Sequence, residues 1–289
     1  MNKVKTIEYK DKLYPQKLLN IKDFPKKIYA LGNIELLNKK SITIIGSRDC
    51  TEYGYNQAIY FSKEISKQNI CIVSGLAKGI DTAAHLGSKN EIGKTIAVLG
   101  GGFNNIFPEE NEELFHSILK NDGCIISEYE PSVVAESKNF PKRNRIVSGL
   151  SEGTLVVEAK YRSGSKITAK YAQKQGKPVF CIPGNIDSKN AIGTAMLIQN
   201  GAKLVLTPQE ILDYIGIKAE ISIKKEVKTR IKIPKEYKEI YKILSNIPIN
   251  INEISRKSNK NIIEVSSVLT MLEINGAIKQ VGINEFVKI

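Results

Sequence analysis

The stretch from Phe140 to Thr168, FPKRNRIVSGLSEGTLVVEAKYRSGSKIT, sets cations, glycines and small hydroxyls around one short apolar segment. From Lys138 to Lys170 eight Lys or Arg stand against two Glu, so this stretch carries about half of the chain's formal net charge of +13. Such a donor set grips phosphate. Arginine supplies a charged fork, and backbone N–H groups and small hydroxyls can approach an anion where no Cβ intrudes. Similar donors recur upstream as Gly46, Ser47 and Arg48, and as Ser74, Gly75 and Lys78, then again downstream as Ser163, Gly164, Ser165 and Lys166. Any one of these glycines could simply make a tight turn. Their joint occurrence with hydroxyls and cations points to one anion-binding edge.

Such an edge needs elements to hold it. Between Ser41 and Val205 short apolar runs alternate with glycine-bearing turns and helix-length amphipathic segments, the pattern of βαβ units. The strands are expected at Ile42 to Ile45, Ile70 to Val73, Thr95 to Leu99, Cys124 to Ser127, Thr154 to Val157, Val179 to Ile182 and Lys203 to Val205. Helices are expected between them at Gly54 to Gln68, Thr82 to Lys89, Asn111 to Lys120, Lys142 to Leu150, Lys166 to Gln175 and Thr194 to Asn200. Continuously apolar strands imply an α/β fold whose doubly wound, mostly parallel sheet is covered on both faces. Ligands then bind beyond the strands' carboxyl ends, where the glycines and their donors fall.

Other chemistries find little support. There is no GxxxxGK[ST], no strand-to-helix GxSxG elbow, no HExxH and no CxxC, and the turn after the first apolar strand lacks the later glycines of a dinucleotide fingerprint. The four cysteines read as buried thiols. His85 and His116 have no ligand-spaced partner, and Asp81 reads as a helix-opening cap or a holder of nearby backbone N–H groups. Glu158, closing the strand TLVVE, suits either a general acid or base or an anchor for Arg143 or Arg145. No metal or cofactor is expected.

At 289 residues the chain suits a domain of roughly 200 residues and a smaller one. The organisation expected is an N-terminal extension over 1–35, a Rossmann-like α/β domain carrying the anion-binding edge over 36–218, a basic linker over 219–234 and a small domain over 235–289. The segment Ile221 to Lys238 carries seven Lys or Arg against two Glu. Three short helices and a hairpin beyond it fit a winged helix. Its third helix, NIIEVSSVLTMLEI, has no cation, which favours protein contact or domain packing over reading a DNA groove. The basic balance attracts nucleic acid or an anionic surface, but no apolar run approaches the roughly 20 residues that span a bilayer, so a cytoplasmic protein is expected.

The motifs YPQKL (Tyr14 to Leu18), IIGSR (Ile44 to Arg48) and SGLAKGIDTAAH (Ser74 to His85) are followed in order by TIAVLGGG, FPKRNRIVSGLSEGTLVVEA, SGSKITA, VFCIPG and GTAMLIQNGA. Over Tyr14 to Leu204 the chain resembles the DprA/Smf family of DNA processing proteins. The resemblance implies an extended Rossmann fold that binds single-stranded DNA without sequence preference, forms homodimers, works alongside single-strand-binding protein and loads RecA recombinase during natural transformation or recombination. It also implies no enzymatic activity. The family's GSR turn matches Ser47 and Arg48, its FPxRNR segment matches Phe140, Arg143, Asn144 and Arg145, and its SGS loop matches Ser163 to Lys166. Gly46, Gly75 and Lys78 join them at the predicted edge. Phe140 is either core or a π-face for a base.

Two positions depart from the family pattern. Lys78 stands in place of Arg and Ala195 in place of Asn. An N-terminal SAM-like domain is expected to be missing or reduced, because about 35 residues precede the first anticipated strand. A rival reading is a LOG-type nucleoside monophosphate phosphoribohydrolase, which Gly153, Thr154 and Glu158 partly echo without the family's preceding PGG and with Glu158 one residue late.

Overall fold

The computed structural model describes residues 3–218 and 233–288. The described chain forms two compact units, one on each side of the stretch 219–232. All but the last two residues of the expected linker lie outside the described residues.

In the first unit the elements run β1 (Lys5–Glu8), α1 (Gln16–Leu19), β2 (Lys27–Gly32), β3 (Ser41–Ile45), α2 (Glu52–Lys67), β4 (Cys71–Ser74), α3 (Ile80–Ser88) and β5 (Thr95–Leu99). They continue as α4 (Glu112–Lys120), β6 (Cys124–Ser127), α5 (Asn139–Gly149), β7 (Gly153–Val156), α6 (Ser165–Lys174), β8 (Val179–Cys181), α7 (Ile192–Gln199), β9 (Lys203–Leu204) and α8 (Pro208–Tyr214). The strands form one sheet in the order β1-β2-β6-β5-β4-β3-β7-β8-β9. From β6 to β9 every neighbour pair is parallel. The doubly wound, Rossmann-like sheet follows from strand composition: β3, β4, β5 and β6 are buried at every residue, as only a sheet covered on both faces allows.

Alternation along each strand divides the core between the two faces. Val73, Val98, Ile126 and Val156 pack on one side with Ile146 and Val147 of α5. Ile42, Ile44, Ile72 and Leu155 pack on the other with Ala58, Phe61 and Ile65 of α2. Each fully buried side chain of this size stabilises by about 1.5–3 kcal/mol. Local signals set the helix starts. Thr51 accepts from the Gly54 N–H at the head of α2, and Thr207 and Glu210 form a reciprocal capping box around Pro208 at the head of α8.

One expectation is corrected here. The segment 1–35 is no mere extension, because β1 and β2 complete the sheet, β2 pairing antiparallel with β6 and β1 antiparallel with β2. The edge strand β1 has a single buried residue, Ile7, among charged and exposed neighbours, whereas β2 is buried throughout residues 28–31 but lies before the region where the βαβ pattern repeats.

The second unit contains α9 (Lys238–Ile243), β10 (Ile249–Asn250), α10 (Ile251–Ser258), α11 (Ile262–Ile274), β11 (Ile278–Gly282) and β12 (Glu285–Lys288). Ile240, Ile254, Val265, Leu269, Leu272, Ile278 and Phe286 make its separate core, and the β11–β12 hairpin pairs with β10 to form the wing. This is a winged helix. The exposed side of α11 carries Ile263, Ser267, Thr270 and Ile274, and no Lys or Arg.

Candidate functional site

The chain runs outward from β3 through β4 and β5 to β6, then returns to add β7, β8 and β9 on the other side of β3. The strand order therefore reverses between β3 and β7, and the connections leaving their carboxyl ends diverge to open a crevice. A cavity of about 490 Å³ occupies this point. Gly46, Ser47, Arg48 and Asp49 enter it from the end of β3, and Lys160, Arg162, Ser163, Gly164 and Ser165 enter from the connection after β7. Gly75 closes it from β4, and Phe140, Arg143 and Asn144 from the first turns of α5.

Two of the arginines of this cavity do different work. Arg48 is exposed, has no ion pair among the described residues, and lays its guanidinium 5.6 Å from the centre of the Phe140 ring. Arg143 is buried and donates through Nη1 to the carbonyls of Gly75, at 2.6 Å, and Val98. It thereby ties α5 to the ends of β4 and β5. Burial, and secondarily Arg48, draw the Arg143 pKa down to about 10 while Asp81 holds it up, so it stays charged at neutral pH. Asp81 in turn accepts from the N–H groups of Gly75 at 3.1 Å and Ala77 at 3.4 Å. Burial raises its pKa, against the pull of Arg143 and these N–H groups.

Gly75 sits between these charges. A Cβ there would lie 2.7 Å from Arg143 Nη2 and 2.8 Å from Asp81 Oδ2, too close for any side chain to be accommodated without moving one of them. Gly100 serves Phe140 similarly: a Cβ would come within 2.7 Å of the ring. Phe140 is thus held at the cavity wall, half-buried, with Phe107 5.4 Å away and half exposed. A π-face with cations beside it can stack a base while the cations hold the backbone.

Of the residues singled out in the sequence, Gly46, Ser47, Arg48, Gly75, Phe140, Arg143, Asn144, Ser163, Gly164 and Ser165 line this one cavity. Lys78 lines a smaller adjoining space of about 70 Å³ with Arg48 and Phe140, and is ion-paired to Glu110. Lys166 turns its ammonium to the Tyr161 carbonyl at 3.0 Å, outside the cavity lining. Arg145 is not brought to the cavity at all. It is buried against Glu128 at 2.6 Å and donates to the Asp23 carbonyl.

Lys160 and Arg162 were not singled out, although both lie in the basic run that was. Arg162 is exposed and unpaired among the described residues, while Lys160 is paired to the exposed Asp49. Glu158 anchors neither Arg143 nor Arg145. Its carboxylate accepts from the Thr51 N–H at 2.9 Å and hydroxyl at 2.6 Å, fastening the start of α2 to the end of β7. Of the two histidines, His85 is buried with Nδ1 2.7 Å from the Thr95 hydroxyl, and burial pushes its pKa down to about 3. Among the described residues no group of three or more His, Cys, Asp or Glu could hold a metal, and no helix is long and apolar enough to cross a membrane.

The chain is similar to known proteins over both units. Residues 5–216 match the family model of DNA recombination-mediator protein A, and residues 232–282 match the DprA winged helix domain. The chain belongs to the DprA/Smf family. It is 42% identical to the DNA processing protein DprA of Bacillus subtilis over 213 residues, covering 73% of this chain and 71% of that protein. The crystal structure of DprA from Streptococcus pneumoniae superposes with a TM-score of 0.68 at 40% identity, covering 75% of this chain and 76% of that one. DNA processing protein A from Helicobacter pylori, whose structure describes its single-stranded DNA binding mode, gives a TM-score of 0.67 at 31% identity, with 74% and 95% covered. DprA membership supports the fold through β1, since the family match begins at residue 5.

Proposed function

We propose that this chain binds single-stranded DNA independently of sequence in the cavity between the ends of β3 and β7, and acts there as a recombination mediator. The observation that carries the reading is the pairing of exposed Arg48 with the Phe140 ring, 5.6 Å apart, at the doubly wound sheet's switch point. Arg48, Lys160 and Arg162 supply phosphate contacts, the Phe140 face supplies a base contact, and the N–H groups and hydroxyls after β3 and β7 supply neutral donors. None of these reads a base edge, so the strand is held without regard to sequence. Arg143 is a positioning residue that sets the cavity wall from beneath. The DNA binding described for the Helicobacter pylori relative supports the same class of ligand.

We read the cavity as a binding site without catalysis. Glu158 and Asp81 are each occupied by protein donors, Glu158 does not line the cavity, and the lining Asp49 is paired to Lys160. The wider role that fits is loading of RecA recombinase onto single-stranded DNA, alongside single-strand-binding protein, by a cytoplasmic homodimer. Two outcomes test it. The chain should accelerate RecA assembly on oligo-dT covered by single-strand-binding protein, and Arg48→Ala should abolish the effect. Release of free adenine from AMP, lost in Glu158→Ala, would instead favour the phosphoribohydrolase.

A further inference from the structure

The sheet order places a second group of cations at the same edge as the cavity. Tyr29 in β2 is registered opposite Ser127, the last residue of β6, and Lys27 in β2 is registered opposite Glu8, the last residue of β1. The antiparallel β2 therefore begins, and β1 ends, at the edge where the parallel strands end. Lys26 and Lys27 stand at the start of β2, and Tyr9 and Lys10 follow β1. At a strand spacing of about 4.8 Å, β1 lies five steps, or about 24 Å, from β3.

The space between is bridged by lysines resting on aromatic rings. Lys142, next to the cavity-lining Pro141 and Arg143, lies 6.0 Å from the Tyr129 ring just beyond β6. Lys27 lies 5.1 Å from the Tyr29 ring, and Lys10 lies 5.6 Å from the Tyr9 ring. Tyr9 packs 5.9 Å from Phe24, its backbone N–H bonds the Lys26 carbonyl, and its ring is 37% exposed. Lys10, Lys12, Lys22, Lys26 and Lys27 are all exposed in this region. The acids nearby are fewer and partly used: Glu130 faces Lys27 and Tyr29, Glu136 pairs with Lys138, Glu128 pairs with Arg145, and Asp11 accepts from the Glu8 N–H. Glu8 and Asp23 complete the set.

We infer that the nucleic acid strand held in the cavity continues along this edge, past Lys142 and Tyr129 and over the β2–β1 end, where Tyr9, Lys10 and Lys26 form a second contact. The inference rests on the single-stranded DNA reading above and extends its path. The buried Tyr29 only seats Lys27, but Lys142 at the half-buried Tyr129 and Lys10 at the exposed Tyr9 set cations beside accessible rings, matching the alternation of phosphate and base along a strand, which an acidic protein segment would not require. The surface adds length-dependent affinity.

The test compares an oligo-dT of about six nucleotides, which fills the cavity, with one of about twenty, which reaches β1, on the full chain. Lys10→Glu with Lys26→Glu should bind the short oligomer as the wild type does and the long one about tenfold more weakly. Because the chain has no tryptophan, Tyr9→Trp gives a single probe, whose emission should be quenched by the long oligomer and not by the short one. Equal length dependence in wild type and the double variant, or a probe that answers to polyglutamate and not to the long oligomer, would overturn the proposal. Absence of short-oligomer binding by the wild type, or its survival in Arg48→Ala, would instead remove the cavity reading on which the proposal stands.

Discussion

Both units carry an architecture that can meet nucleic acid, yet their surfaces differ in kind. At the sheet edge of the first unit, exposed Arg48 stands over a half-buried ring and exposed Arg162 lines the same cavity, with glycine-bared backbone around them. On the third helix of the second unit, the element that would enter a groove presents Ile263, Ser267, Thr270 and Ile274, with no charge to meet a phosphate. Topology alone does not make a nucleic-acid site, since phosphate contacts supply most sequence-independent affinity and only one of the two surfaces has the cations to make them. The same lesson holds inside the first unit, where the arginines differ as sharply. Arg143 and Arg145 are structural, while Arg48 is free to bind.

The sharpest way to separate structure from binding is to remove each cation in turn. Arg143→Ala strips the donors from two buried carbonyls and leaves Asp81 without its counter-charge, so it should cost about 3 kcal/mol and lower the melting of the first unit by about 6–12 °C in a thermal scan. Arg48→Ala should leave melting unchanged and weaken oligo-dT binding about 10- to 100-fold, from the loss of roughly 1.5–3 kcal/mol of charge-assisted hydrogen bonding. If the two variants exchanged these phenotypes, the division of labour between the arginines would be refuted. Phe140→Leu keeps the wall against Gly100 but removes the π-face, and titration should show a loss of about 1–2 kcal/mol, equally for oligo-dT and mixed sequence.

The smallest effect belongs to the winged unit. Ile263→Glu with Thr270→Glu places two negative charges on the exposed side of α11, where a phosphate-binding helix would lose affinity steeply. Single-strand affinity should stay within about twofold of wild type, and a larger loss would show that α11 contributes after all.

Much of this division was legible in the sequence, for reasons that particular residues make plain. Thr95 to Leu99 and Cys124 to Ser127 form strands over the ranges expected of them, because buried parallel strands announce themselves by unbroken apolar runs. The edge strand β1 did not, since its one buried residue stands among exposed ones, and β2, buried over residues 28–31, finds its place only once β6 is beside it. The separation of Arg143 from Arg145 was available in principle. Two residues apart on a helix are about 200° around its axis, so the pair could not face one cavity. Glu158 is different: its partner Thr51 lies 107 residues away, and no local spacing announces that contact.

The most direct measurement is fluorescence anisotropy of labelled oligo-dT across a salt series, for wild type and Arg48→Ala, against duplex of the same length. With Arg48, Lys160 and Arg162 each neutralising one phosphate, log K should fall against log salt with a slope of about −2, single strands should be preferred, and Arg48→Ala should flatten the slope by about 0.7. A slope near zero, or an Arg48→Ala variant indistinguishable from wild type, would contradict a phosphate-gripping cavity at the ends of β3 and β7.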